Sequence, residues 1–114
     1  MKIELNSCQK GKLAEEKAVQ FLKNQNFVII DRNFYTRFGE IDIIAKKDGV
    51  LHFVEVKSGE NFNSIYNVTF KKVQRIIKTI NIYLNRKGDN SPYQIDVITI
   101  NSNRVEYIKN ISLF

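Results

Sequence analysis

Apolar residues follow two different periods along this chain. Ala14, Ala18, Phe21 and Leu22, continued by Gln25, recur at helical spacing with lysine and glutamate between them, and predict a helix over residues 10–25. Residues 27–34, Phe27 to Phe34, are rich in β-branched side chains and predict a strand. Two apolar runs follow, Gly39 to Ala45 and Val50 to Lys57, joined by Lys46-Lys47-Asp48-Gly49. An Asp-Gly pair between such runs predicts a β-hairpin. Residues 59–67 are polar apart from Phe62, Ile65 and Tyr66 and read as a loop. Thr69 is placed to cap a second helix reaching about Arg86, with Val73, Ile76, Ile77, Ile80 and Leu84 as its core face. The stretch from Lys87 to Pro92 ends that helix. Two more strands, 94–100 and 104–108, flank the turn Asn101-Ser102-Asn103. The order α-β-β-β-α-β-β predicts an α/β fold with a mixed central sheet flanked by helices, the second helix crossing between strands three and four.

Length and composition narrow the picture. At 114 residues, 43% of them hydrophobic, with one proline and five glycines, the chain reads as a single domain over 1–114 without a linker or low-complexity segment. No apolar run approaches the roughly 18 residues of a membrane span, and the N-terminal residues lack the apolar core of a signal peptide. The lone Cys8 excludes a disulfide framework and a Cys-rich zinc site, and the expected location is the cytoplasm. Eighteen lysines and arginines against 12 acids give a net charge of +6, which favours an anionic partner, nucleic acid above all. Many small basic proteins carry such a charge without binding nucleic acid.

Charge also falls inside the strands, where it is costly unless paired or metal-bound. Side chains alternate along a strand, so Phe53, Glu55 and Lys57 share one face and His52, Val54 and Val56 the other. Asp42 shares a face with Glu40 and Ile44, and closure of the hairpin brings it near the register of Glu55. Two carboxylates suit a hard cation such as Mg²⁺ or Mn²⁺, and a lysine beside them can stabilise charge developing on a phosphate or position a water. The plainer reading is an ion pair between Lys57 and Glu55, with Asp42 facing solvent.

Other charged residues offer weaker signals. Glu15 lies at the edge of the first helix's apolar arc, where it is either a boundary residue paired with a lysine or an added metal ligand. His52, the one histidine, falls on the face away from Glu55 and reads as a structural residue. On the second helix Lys71, Arg75 and Lys78 align opposite the apolar stripe, as a solvated face or as phosphate contacts. Lys72 sits at the margin of the buried face, within reach of the acids. Asp96 is expected to pair with an arginine or lysine. Gln94, Arg37 and Arg32 are further candidates for substrate contact.

Together these residues resemble a known pattern. Glu15, Ile41-Asp42 and Glu55-Val56-Lys57 in this order of elements resemble the PD-(D/E)xK nuclease superfamily. More closely, the chain is similar to the YraN-like family of small bacterial proteins, itself similar to archaeal Holliday junction resolvases. The likeness covers nearly the whole chain and includes Gly11 to Ala18, Arg32-Asn33, Gly39-Glu40-Ile41-Asp42, Phe53-Val54-Glu55-Val56-Lys57, Lys72, Tyr83-Leu84 and Ile95-Asp96. It implies a restriction-endonuclease-like αβββαβ core and a Mg²⁺ or Mn²⁺ site at Asp42 and Glu55. Lys57 would be the active-site lysine and Glu15 a supporting acid. Ala14, Gly59 and Gln94 depart from the family's usual glycine, arginine and arginine. The expected activity is metal-dependent endonucleolytic cleavage of DNA, branched or junction DNA included, by a homodimer. The alternative is a nucleic-acid-binding domain that keeps the fold without catalysis.

Overall fold

The computed structural model describes residues 4–59, 69–102 and 104–111. The first helix, α1, spans Ser7–Asn24 and starts three residues before the predicted span. Asn6 is the reason. Its side chain accepts the Gln9 N–H at 2.8 Å while Gln9 returns a bond to the Asn6 N–H at 3.0 Å, a reciprocal cap that satisfies two otherwise free donors. Three strands follow: β1 over Val28–Thr36, β2 over Gly39–Lys47 and β3 over Val50–Ser58. The tight turn from β2 into β3 has positive φ at both Asp48 (51°) and Gly49 (78°), the backbone twist that a two-residue hairpin needs. Helix α2 runs over Phe70–Lys87, capped by the Thr69 hydroxyl and closed by Gly88 at φ 61°. Strands β4 over Tyr93–Ile100 and β5 over Val105–Ile108 complete the sheet. Most of the 59–67 stretch expected to be a loop lies outside the described residues.

The fold is an α/β arrangement with a five-stranded mixed sheet in the order β1-β2-β3-β4-β5, flanked by two helices and compatible with a restriction-endonuclease-like core. All neighbours pair antiparallel except β3 and β4, which run parallel because α2 carries the chain back between them. Each helix covers one face. Ala14, Ala18, Val19 and Leu22 of α1 pack on Ile43, Ala45, Val54 and Ile98, and Val73, Ile76, Ile80 and Tyr83 of α2 pack on Ile41, Ile44, Phe53 and Ile95. Tyr83 takes the core place that periodicity gave to Leu84, which is half-buried like Ile77. Its ring meets Phe34 and Phe53 edge-on at centroid distances of 5.2 and 5.7 Å, contacts that a leucine cannot supply. No helix among the described residues is long and apolar enough to cross a membrane.

Candidate metal and phosphate site

The site is built where a ladder stops. Strands β2 and β3 pair from the turn as far as Ile43 opposite Val54, and no further. Had they continued, the Val56 N–H would have gone to the backbone of β2, as alternate amides of β3 do. Instead, the Asp42 carboxylate accepts it at 2.8 Å. The two strands have parted, and an acid fills the gap. This corrects the expected alternation of β2: Ile41 and Ile44 both pack on the α2 side, while Asp42 lines a cleft on the α1 side beside Val56.

Strand β3 keeps its alternation. Glu55 and Lys57 line a cleft of about 190 Å³ on the α2 side, together with Phe38, Glu40, Lys72, Arg75 and Thr79. The α1-side cleft, about 540 Å³, is lined by Lys12, Glu15, Glu16, Arg32, Asn33, Tyr35, Glu40 and Asp42 among others. Glu40 belongs to both. Asp42 and the Glu55–Lys57 pair thus approach from opposite clefts and meet electrostatically at the parted strands. Burial pushes the Glu55 carboxyl up to about 8, and the neighbouring Asp42 charge adds to this while Lys57 opposes it. Burial likewise holds Asp42 at about 6, against the Val56 hydrogen bond, with Glu40 and Glu15 raising it further and Lys57 lowering it. Glu55 Oε1 is buried without a hydrogen-bond partner among the described residues. The Lys57 charge acts on Glu55 without giving this buried oxygen a hydrogen bond, and Asp42 is half-buried instead of facing solvent.

The other sequence candidates divide around this centre. Among the described residues Glu15 pairs with an arginine and not with a lysine. Its Oε1 accepts Arg32 Nε at 3.3 Å, Arg32 Nη2 at 3.1 Å and Asn33 Nδ2 at 3.0 Å, and Arg32 also reaches Glu16 at 2.6 Å. Arg32 is therefore engaged with α1. Among the described residues no three acidic, histidine or cysteine side chains are grouped closely enough to hold one ion; Glu15 lines the α1-side cleft with Asp42, and Glu55 lines the other. Lys72 is drawn to the centre: the nearby Lys57 charge is the main cause that lowers its pKa, and the Glu55 charge opposes this. Arg75 lines the same cleft. Arg37 and Lys78 both lie over the Phe38 ring, at 4.8 and 5.2 Å from its centre, at the rim. Lys71 is exposed and lines neither cleft.

Asp96 and Gln94 are corrected. Asp96, fully buried on β4, pairs with no arginine or lysine among the described residues but with His52. Its Oδ2 meets His52 Nδ1 at 2.6 Å and accepts the Tyr107 hydroxyl, and its Oδ1 accepts Gln94 Nε2 and the Asn110 N–H, both at 2.8 Å. Gln94 is thus turned inward, away from a substrate role. Sequence reasoning also passed over Glu40, whose charge raises Asp42, Glu55 and Tyr35 together. The signal was present in Gly39-Glu40-Ile41-Asp42, an acid two residues before Asp42 in a half-buried strand.

The model of the family described as Uncharacterised protein family UPF0102 matches residues 14–100. The chain belongs to the UPF0102 family. A UPF0102 protein of Wolinella succinogenes is 54% identical over 107 residues, covering 94% of this chain and 99% of the relative. One from Helicobacter pylori (strain HPAG1) is 52% identical over 103 residues, 90% of each chain. One from Campylobacter fetus is 50% identical over 103 residues, 90% of this chain and 92% of the relative. The stretch matched to the UPF0102 model contains every residue of the two parted strands and of α2.

Proposed function

We propose that this UPF0102 protein is a divalent-metal-dependent endonuclease of the PD-(D/E)xK type, acting on DNA and in particular on branched DNA. The supporting observation is the parted β2–β3 ladder. It brings the Asp42 charge to bear on the Glu55 carboxyl, both at raised pKa, and leaves a buried Glu55 oxygen without a partner among the described residues. A donor set of two carboxylates, one already oriented by a backbone amide, fits a hard cation such as Mg²⁺ or Mn²⁺. When bound, such an ion polarises a phosphate and lowers the pKa of a water.

The chain's own residues do the rest. Lys57, beside both acids, stabilises negative charge developing on the phosphate. Lys72 and Arg75 hold phosphate oxygens from the α2 side, and Lys71, Lys78 and Arg37 extend the cationic surface along the backbone. Glu15, fixed by Arg32 and Asn33, acts on Asp42 through its charge and is the candidate for holding a metal-bound water. A symmetric homodimer in the cytoplasm, cutting two strands with two such sites, completes the reading.

The test is a cleavage panel over branched, nicked, single-stranded and duplex DNA and over RNA, with Mn²⁺, for wild type and Asp42→Ala. Cleavage by the wild type and none by Asp42→Ala is the expected result. Equal activity in both rules the site out. A second reading, a non-catalytic nucleic-acid-binding domain, is favoured by Glu15 being engaged with Arg32 and Asn33. Salt-sensitive binding indifferent to Mn²⁺ and to Glu55→Gln, without cleavage, would select it.

A further inference from the structure

Two aromatic side chains stand at the end of the β1–β2 hairpin, and they differ. Phe38 is half-buried and carries Arg37 and Lys78 over its ring. Tyr35 is 66% exposed and belongs to neither core cluster, although its neighbour Phe34 packs inward on Tyr83. The backbone beneath Tyr35 is fixed. The Thr36 hydroxyl meets the buried Thr79 hydroxyl of α2 at 3.0 Å and accepts the Phe38 N–H at 3.1 Å, which ties the hairpin end to the helix. An exposed ring on an anchored backbone loses little freedom on meeting a flat ligand.

The charges beside it say which ligand. The cleft that Tyr35 shares with Asp42 also holds Glu15, Glu16 and Glu40; of its cations, Arg32 is engaged by Glu15 and Glu16, leaving Lys12 at the rim. The cations Lys57, Lys72 and Arg75 lie across Glu40 in the other cleft. A phosphate is drawn to that side and repelled from Tyr35, whereas a nucleobase is neutral and carries a π-face. A base stacked inside a duplex has both faces covered; an unpaired base has one to offer.

We propose that the Tyr35 ring is a stacking platform for an unpaired nucleobase whose phosphate lies against Lys57, so that the substrate carries an unpaired nucleotide at the reacting position. The inference rests on the nuclease reading for the reacting centre and names the substrate class of that site. The experiment measures binding by fluorescence anisotropy in metal-free buffer. The probes are a short single-stranded oligonucleotide, its blunt duplex, and the single strand with one abasic position, against wild type, Tyr35→Ala and Tyr35→Phe. Tyr35→Ala is expected to weaken single-strand binding about tenfold and to leave duplex binding unchanged, with Tyr35→Phe retaining wild-type affinity. The abasic probe should cost the wild type affinity and cost Tyr35→Ala nothing further. Equal loss on single strand and duplex, or no loss at all, overturns the proposal. If Tyr35→Ala binds single strands as the wild type does while Asp42→Ala still abolishes cleavage, the platform is wrong and the nuclease reading stands. If the wild type binds none of the probes, the platform falls, and cleavage of branched DNA by the wild type but not by Asp42→Ala still decides the nuclease reading.

Discussion

Two polar clusters interrupt the apolar interior of this sheet, and they are built on opposite principles. Around Asp96, His52, Tyr107, Gln94 and the Asn110 amide between them give both carboxylate oxygens two partners each. Around Asp42 and Glu55, burial raises both carboxyls, the Asp42 charge raises Glu55 further, and Glu55 Oε1 is buried without a partner among the described residues. Buried polar groups are normally hydrogen-bonded, and a satisfied network rigidifies the core that holds it. The first cluster is finished by the protein alone. The second is left incomplete, in a fold that shows a few residues away how to complete one. That contrast, more than the presence of acids, separates a structural cluster from a candidate site.

The largest effect is expected in the finished cluster. Asp96→Ala leaves His52, the Tyr107 hydroxyl, the Gln94 amide and the Asn110 N–H without their shared acceptor. It should lower unfolding stability by about 3–5 kcal/mol, the scale for removing one partner of a buried charged network. Urea denaturation of the variant checks this. A loss below about 1 kcal/mol would mean that the cluster is no tighter than a surface contact and would dissolve the comparison.

The opposite sign is expected in the unfinished cluster. Glu55 has its folded pKa raised from 4.5 to about 8. The folded state therefore binds its proton more tightly than the unfolded chain does. Metal-free protein is unaffected by this below about pH 4.5 and loses stability as pH rises through about 8. Asp42 adds a smaller loss between 3.8 and about 6. Glu55→Gln removes the charge and should stabilise metal-free protein at pH 8 by on the order of 3 kcal/mol, with the gain vanishing near pH 4. Thermal melts of both proteins across that range decide it. A variant less stable than wild type at pH 8 would show that Glu55 is satisfied after all.

The two clusters were not equally legible in the sequence. Glu55 and Lys57 could be placed on one face because β3 alternates without interruption, and His52 on the other for the same reason. The order of elements followed from the two periods, down to the Asp-Gly turn, although Tyr83 displaced Leu84 from the core face of α2. Asp42 was found as a residue but assigned by a rule that its own hydrogen bond breaks: a carboxylate standing in for a backbone carbonyl ends a ladder without altering the hydrophobic pattern. Asp96 was misread because a buried acid calls for a cation on average, and here three uncharged donors and a histidine supply the bonds. Arg32 and Glu15 meet across 17 positions of chain, a long-range pairing that neither helix nor strand periodicity encodes.

The smallest expected effect concerns the boundary between the two kinds of cluster. Glu15 has an ion pair, as a structural acid does, yet its charge raises Asp42, as a member of the site does. The side chains are 34% exposed for Arg32 and 58% for Glu16, so solvent screens much of the pairing, and Arg32→Gln should cost under about 1 kcal/mol of stability. If Glu15 is only an edge residue, nothing else changes. If it belongs with Asp42, removing the guanidinium leaves the Glu15 charge uncompensated and holds the Asp42 carboxyl higher still. The pH above which Mn²⁺ raises the melting temperature then moves upward in Arg32→Gln, because the ion competes with a proton that is harder to remove. An unmoved pH threshold, with the same small stability loss, would assign Glu15 to the scaffold and leave the site with Asp42 and Glu55 alone.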